Sequence, residues 1–156
     1  MHLVATNSRP RHTVETPSIE RVAPESVWWV WPNIESYLGK VLERYPFGGI
    51  TIEDVRIKCA SGQFRLFVIL EGHEFLGAVC TRVGEFGKYH VLGIGGRNMD
   101  AWGDTLMDVL LDDAAINGCH IFGGYGRKGW SRKLGIEPKR ECYEWELDIN
   151  QQGEIV

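Results

Sequence analysis

The sequence predicts an α/β domain in which a mixed central sheet is flanked by helices. Three observations lead there. Apolar residues recur with a 3.6-residue period over two long stretches, 24–45 and 99–117. Between and after these stretches the period changes to short strand-like runs separated by glycine-rich turns. The chain of 156 residues, 44% apolar and 24% charged, has the size and composition of one globular domain, which excludes disordered, collagen-like and coiled-coil chains.

Each element follows from local chemistry. Residues 1–17 are polar, contain Pro10 and Pro17, and read as an extended arm; 18–149 form the domain, and 150–156 a C-terminal tail. A short strand is expected over 18–22. Pro24 suits the first turn of a helix, where its missing N–H is not needed. Val27, Trp31, Ile34, Leu38, Val41, Leu42 and Tyr45 then form one stripe, with a kink or restart expected at Pro32 and a stop at Pro46-Phe-Gly-Gly49. Thr51-Ile-Glu-Asp54 has the form of a capping box, with Asp in place of Glu. It opens a second helix with Ile52, Val55 and Cys59 on one side, ending near Gly62.

Strands over 64–70 and 75–83 are joined by the hairpin Glu71-Gly72-His73-Glu74, and a turn over 84–88 leads to a third strand over 89–94. That strand ends in Gly93-Ile94-Gly95-Gly96, where the paired glycines favour a turn. The helix over 99–117 places Trp102, Leu106, Val109, Leu110 and Ala114 toward the core and stops at Gly118. A short strand over 119–122, a loop Gly123-Gly-Tyr-Gly126, a helix over 128–134 closed by Gly135, and a strand over 141–149 complete the order. In the last, Tyr143, Trp145, Leu147 and Ile149 alternate with Glu144, Glu146 and Asp148.

Bulk properties narrow the function classes. The net charge of −4 argues against a surface built wholly for nucleic acid. Cys59, Cys80, Cys119 and Cys142 form no C-x-x-C pair, which removes zinc-ribbon and redox spacings and leaves buried free thiols as the favoured reading. The first residues lack the apolar segment of a signal peptide, and the longest apolar run, Val27 to Trp31, is far below the ~20 residues of a membrane span. A soluble protein of the cytoplasm is expected, with no membrane partner. The 19 glycines exceed the usual ~7% and raise the question of a phosphate-cradling loop.

The order strand, two helices, three strands, helix, strand, helix, strand, together with Gly129-Trp-Ser-Arg-Lys-Leu-Gly-Ile136 before the last strand, resembles the GNAT superfamily of acyl-CoA-dependent N-acyltransferases. Leu134-Gly135-Ile136 stands where that family has Leu-Gly-Phe. Trp102, Gly118-Cys119 and the run from Gly126 to Leu134 are similar to small GNAT-like proteins of tailed phages and prophages. The resemblance implies a turn of pattern R/Q-x-x-G-x-G/A before the long helix, holding the cofactor pyrophosphate. Counted from Arg97, its small-residue positions carry Asp100 and Trp102, which would set a carboxylate and an indole beside the phosphates. The resemblance also implies a tyrosine acid four residues before Gly135; Ser131 occupies that position, and a serine hydroxyl is a poor general acid. Tyr125 is the candidate substitute. Glu85, His90 and His120 are candidate bases, none with a partner visible in the sequence.

Charge patterning offers a second use of the surface. Asp100, Asp104, Asp108 and Asp112 recur every four residues on the long helix, a solvated face or a surface for a basic partner. Spread over about 18 Å at 1.5 Å per residue, they cannot converge on one metal ion, and no metal is expected. Arg127, Lys128, Arg132, Lys133, Lys139 and Arg140 face a single acid, Glu137, across 127–140. This basic loop suits a protein partner, a second copy of the chain or, less well, nucleic acid with Trp130 stacking on a base.

The sequence therefore favours a phage-type GNAT-fold protein without catalysis or cofactor. It would act as a virion component or protein-binding module through Asp104, Asp108, Asp112, Arg127, Lys128 and Arg132. The alternative is an N-acyltransferase that takes acetyl-CoA or another acyl-CoA on a divergent loop of Gly95, Gly96 and Arg97, with Tyr125 or Ser131 as the acid.

Overall fold

A computed structural model of the chain describes residues 17–44, 49–125 and 144–156. Strand β1 (Ser18–Val22) leads through a 3₁₀ turn (Pro24–Ser26) into α1 (Val27–Arg44) and α2 (Ile52–Ala60). Strands β2 (Arg65–Glu71), β3 (Glu74–Val83) and β4 (Lys88–Gly96) follow, then α3 (Met99–Ile116), β5 (Ile121–Tyr125) and β6 (Glu144–Asp148). The strands form one sheet in the order β1-β2-β3-β4-β5-β6, antiparallel except for the parallel pair β4/β5. This is the mixed sheet with flanking helices that the residue patterns predict; the helix expected over 128–134 lies outside the described residues.

Alternation along the strands builds two cores, one on each face. Leu66, Val68, Leu70, Ala78, Cys80 and Leu92 face α1 and α2, where they meet Val27, Val30, Trp31, Ile34, Leu38, Val55 and Cys59. Phe67, Ile69, Leu76, Val79, Tyr89, Val91 and Ile94 face α3 and meet Trp102, Leu106, Met107, Leu110 and Ala114. The helix does not restart at Pro32, and α1 continues through it. Pro32 lies on the exposed side, where water can satisfy the Trp28 carbonyl that lacks its N–H partner, while the buried stripe on the opposite side holds the helix in place.

At α2 the capping box forms as expected. Asp54 N–H donates to Thr51 Oγ1 at 3.1 Å and Thr51 N–H donates to Asp54 Oδ2 at 3.0 Å. These bonds, the one from the Thr51 backbone foremost, hold the Asp54 carboxyl below its ordinary range.

One polar group is built into the α3-facing core. Asp113, in the last turn of α3, accepts two bonds from Arg65 on β2, Nε to Oδ2 at 2.7 Å and Nη2 to Oδ1 at 2.6 Å. It also accepts the Tyr89 hydroxyl at 2.7 Å, and that hydroxyl lies 2.9 Å from Thr81 Oγ1. A carboxylate at a helix C-terminus is disfavoured by the helix dipole; the bidentate guanidinium offsets this and bolts the helix end to three strands. Across the sheet, the buried thiols of Cys59 on α2 and Cys80 on β3 lie 4.0 Å apart. Burial, then the neighbouring Cys59 thiol, raises the Cys80 thiol well above its ordinary range. Cys119 is a third buried free thiol, and Cys142 lies outside the described residues. After β6 the chain turns back, with Ile149 paired to Ile155.

Candidate functional site

The parallel pair β4/β5 is short. Four rungs join it, from Lys88↔Ile121 to Val91↔Gly124. Beyond them β4 continues for five residues, four of them paired to β3, while Tyr125, the last residue of β5, pairs with Glu144 of β6 and not with β4. The two strands thus part after Val91 and Gly124. A bulge coincides with the parting: Cys80 pairs with Gly93 and Thr81 with Val91, which leaves Leu92 as the extra residue. An inserted residue bends its strand and sharpens the twist, and here it turns the second half of β4 away from β5. Among the described residues the result is a fork between the two strands on the side of the start of α3.

An indole lies at the base of this fork. Trp145 on β6 pairs with Gly124, the last rung, and its ring crosses that glycine. A Cβ at Gly124 would stand 3.0 Å from Trp145 Cζ2 and 2.6 Å from the Val91 carbonyl oxygen, so only glycine admits the indole here. Phe122 packs on it with ring centroids 5.4 Å apart, and Tyr89 stacks on Phe122 at 5.6 Å. Trp145 is 1% exposed, and among the described residues its Nε1 has no hydrogen-bond partner. A buried N–H left unpaired is destabilising by about 1–3 kcal/mol, and such orphans are few in folded proteins. Trp102, by contrast, is fully buried and donates its Nε1 to the Arg97 carbonyl at 2.9 Å.

The mouth of the fork corrects three expectations. Gly95 and Gly96 form no turn: they are the last residues of β4, paired to Ala78 and Gly77. They are small because of what packs on them. A Cβ at Gly95 would lie 2.3 Å from the Tyr37 carbonyl of α1, and one at Gly96 would lie 2.5 Å from the Leu76 carbonyl and 3.0 Å from Trp102 Cζ2. Trp102 does not stand in the turn; it points into the α3-facing core, because its place in the first turn of α3 faces the sheet. Likewise Gly123, Gly124 and Tyr125 belong to β5 and not to a loop, the glycines being required by the backbone of β6 and by Trp145.

Only Arg97 and Asn98 connect β4 to α3. Asn98 is left-handed (φ 57°) and gives the helix no side-chain cap. The Arg97 N–H is bound to the Leu76 carbonyl at 2.9 Å, and its guanidinium forms an ion pair with Glu74. Asp100 is exposed in the first turn.

The other candidates lie away from the fork, although Glu85 and His90 line one shallow cavity at the turn before β4. Asp104, Asp108 and Asp112 are exposed along α3. Glu85 and His120 precede β4 and β5 at the closed end of the pair, and His90 lies one rung before the parting. The structure does not bring them to Gly95, Gly96 and Arg97. Ser131, Arg127, Lys128 and Arg132 lie outside the described residues. Among the described residues no three His, Cys, Asp or Glu side chains converge as a metal site, and no helix is long and apolar enough to cross a membrane. Sequence reasoning did not find Trp145 as a site residue. Its alternation marked it as core, and its unpaired N–H depends on the tertiary arrangement.

No protein-family model matches the sequence, and no curated protein matches it. Solved structures do. A GNAT family acetyltransferase from Brucella melitensis in complex with acetyl-CoA aligns at TM-score 0.61 and 18% identity, over 90% of this chain and 94% of that one. The PaiA N-acetyltransferase of Thermoplasma acidophilum in complex with coenzyme A aligns at 0.57 and 12%, over 83% and 98%. An aminoglycoside acetyltransferase from an uncultured soil metagenomic sample, in complex with sisomicin, aligns at 0.58 and 16%, over 81% and 90%. This chain has the fold of the GNAT-family acetyltransferases.

Proposed function

We propose that this chain is an N-acyltransferase that takes the pantetheine thioester of an acyl-CoA into the fork between β4 and β5. The reading reverses the preference drawn from the sequence, which was for a protein without catalysis. The fork supports it: two parallel strands part at a bulge, and the orphaned Trp145 N–H lies where they part. A buried donor without a partner among the described residues, at the base of the fork, suits a ligand carbonyl, which would supply the missing acceptor. The fold supports it too, since solved structures of the same fold carry acetyl-CoA or coenzyme A.

The residues present fit one end of the donor. The arm of pantetheine is uncharged and amide-bearing, and the fork offers the unpaired backbone edge of β4 and the Trp145 donor. The pyrophosphate end fits poorly, because the glycines that would cradle it are filled by Tyr37, Leu76 and Trp102, and because Asp100 stands in the first helical turn. An acyl-CoA supplies an activated thioester carbon to an amine nitrogen, with release of the thiol. Tyr125 ends β5 beside the fork and is the candidate to protonate the departing thiolate, which leaves as the thiol; Ser131 is the other. The donor is a cytoplasmic metabolite, and the reading carries that compartment with it.

Titration calorimetry with acetyl-CoA tests the proposal, followed by thiol release with a panel of primary amines. Micromolar binding with amine-dependent thiol release is the expected result. Silence in calorimetry would remove the acyltransferase reading. The surface reading would then remain, that of a phage-type virion component or binding module. What favours that second reading is the exposed row of Asp100, Asp104, Asp108 and Asp112 on α3, and a salt-sensitive oligomer in sedimentation would support it.

A further inference from the structure

Resting on the acyltransferase reading, the geometry points to a donor recognised by its acylated pantetheine arm and not by its nucleotide. An acyl-CoA has two chemically distinct ends, a neutral arm ending in the thioester and a polyanionic 3′-phosphorylated ADP. The two ends of the fork treat these ends oppositely.

At the base, everything is prepared for a neutral acceptor. The Trp145 N–H is buried and unpaired, and it lies beside the last β4/β5 rung with Tyr89 and Phe122 packed behind it. The alternative to a ligand carbonyl is an unpaired donor in an apolar core, which is unfavourable. Trp102 shows that this chain pairs an indole when it has no other use for it.

At the mouth, the described residues are poorly prepared for an anion. A helix start holds phosphate through free first-turn amides and a favourable dipole. Here the Ala101 N–H is taken by the Asn98 carbonyl and the Arg97 N–H, just before the helix, by the Leu76 carbonyl, which leaves the Met99 and Asp100 amides at the helix start. Asp100 already answers the dipole with its own carboxylate. The guanidinium of Arg97 is paired with Glu74, so Arg97, Glu74 and Asp100 together carry one negative charge. The two-residue link from β4 to α3 leaves no loop to wrap a pyrophosphate, and its flanking glycines serve packing. A pyrophosphate at this turn would meet repulsion in place of a nest. The donor class is therefore an acyl-pantetheine thioester, whatever carrier holds the distal phosphate.

The test compares three probes by calorimetry: acetyl-CoA, acetyl-pantetheine, and 3′,5′-ADP as a competitor. The indole N–H resonance of Trp145 is followed in parallel by ¹⁵N NMR, assigned with Trp145→Phe. Expected are dissociation constants for acetyl-CoA and acetyl-pantetheine that agree within about threefold, under ~0.7 kcal/mol. No competition by 3′,5′-ADP and a shift of the Trp145 resonance with both thioesters are expected as well. Acetyl-CoA binding more than about tenfold tighter than acetyl-pantetheine would overturn the inference while leaving the acyltransferase reading intact. Binding by both thioesters with an unmoved Trp145 resonance would overturn the role given to the indole. Binding by neither would overturn the acyltransferase reading itself.

Discussion

The two ends of α3 carry the same chemical group and use it in opposite ways. Asp113, in the last turn, is held by Arg65 and Tyr89, and the side chains of the Arg65/Asp113 pair are 16% and 12% exposed. Asp100, in the first turn, is exposed on a helix start that has no side-chain cap. The dipole favours Asp100 at the start and disfavours Asp113 at the end. The buried end survives because three hydrogen bonds, two from Arg65 and one from Tyr89, outweigh the dipole. In a fold whose solved examples hold acetyl-CoA or coenzyme A, this chain places its most elaborate polar network at the helix end that anchors the sheet.

Breaking the anchored end gives the largest effect. Arg65→Met leaves Asp113 buried beside Tyr89 without its counter-charge, and unfolding in urea should register a loss of about 3–5 kcal/mol. Replacing both partners, Arg65→Met with Asp113→Leu, should recover most of it. A single-variant loss below about 1 kcal/mol would mean that solvent screens the pair.

Tyr89→Phe should cost less, about 1–2 kcal/mol, by removing one hydroxyl from the network. It also carries a pH signature. Burial, and then the Asp113 carboxylate against the opposing bond from Thr81, raises the Tyr89 phenol above its ordinary 10.0. The folded form keeps its proton where the unfolded chain has lost it. The contribution is therefore complete below pH 10 and falls away as pH rises above it. Alkaline unfolding curves of the wild type should decline more steeply than those of Tyr89→Phe, and parallel curves would contradict the buried phenol.

The smallest effect is expected at the other end of the helix. Arg97 and Glu74 form an ion pair with side chains 51% and 58% exposed, and Arg97→Ala should change stability by less than about 0.5 kcal/mol. A larger loss would give the mouth of the fork a rigidity comparable to that of the anchored end.

What the sequence made legible was whatever depends on local period and local bonding. The α3 stripe of Trp102, Leu106, Leu110 and Ala114, the Thr51/Asp54 box, the Gly72-His73 hairpin and the alternation of Trp145, Leu147 and Ile149 all have the predicted form. What stayed hidden depends on approach between distant segments. Gly95 and Gly96 looked like punctuation because glycine at a strand end is ambiguous; only the Tyr37 carbonyl packed on Gly95 shows why they are needed. Arg65 and Asp113 are 48 residues apart and no spacing rule joins them. Trp102 looked like an obstacle because the motif fixes its position in the chain and not the side to which it turns.

The paired thiols on the other face have a consequence for how the molecule moves. Cys59 and Cys80 are 1% and 3% exposed, and the Cys80 thiol resists ionisation. Alkylating reagents attack the thiolate, so neither sulfur is open to them while α2 lies on β3. Each labelling event then reports one lifting of α2 from the sheet. The native protein thus contains its own clock for that opening, readable as the rate of adduct formation on the Cys59 and Cys80 peptides, kept apart by mass from those of Cys119 and Cys142, with no residue replaced.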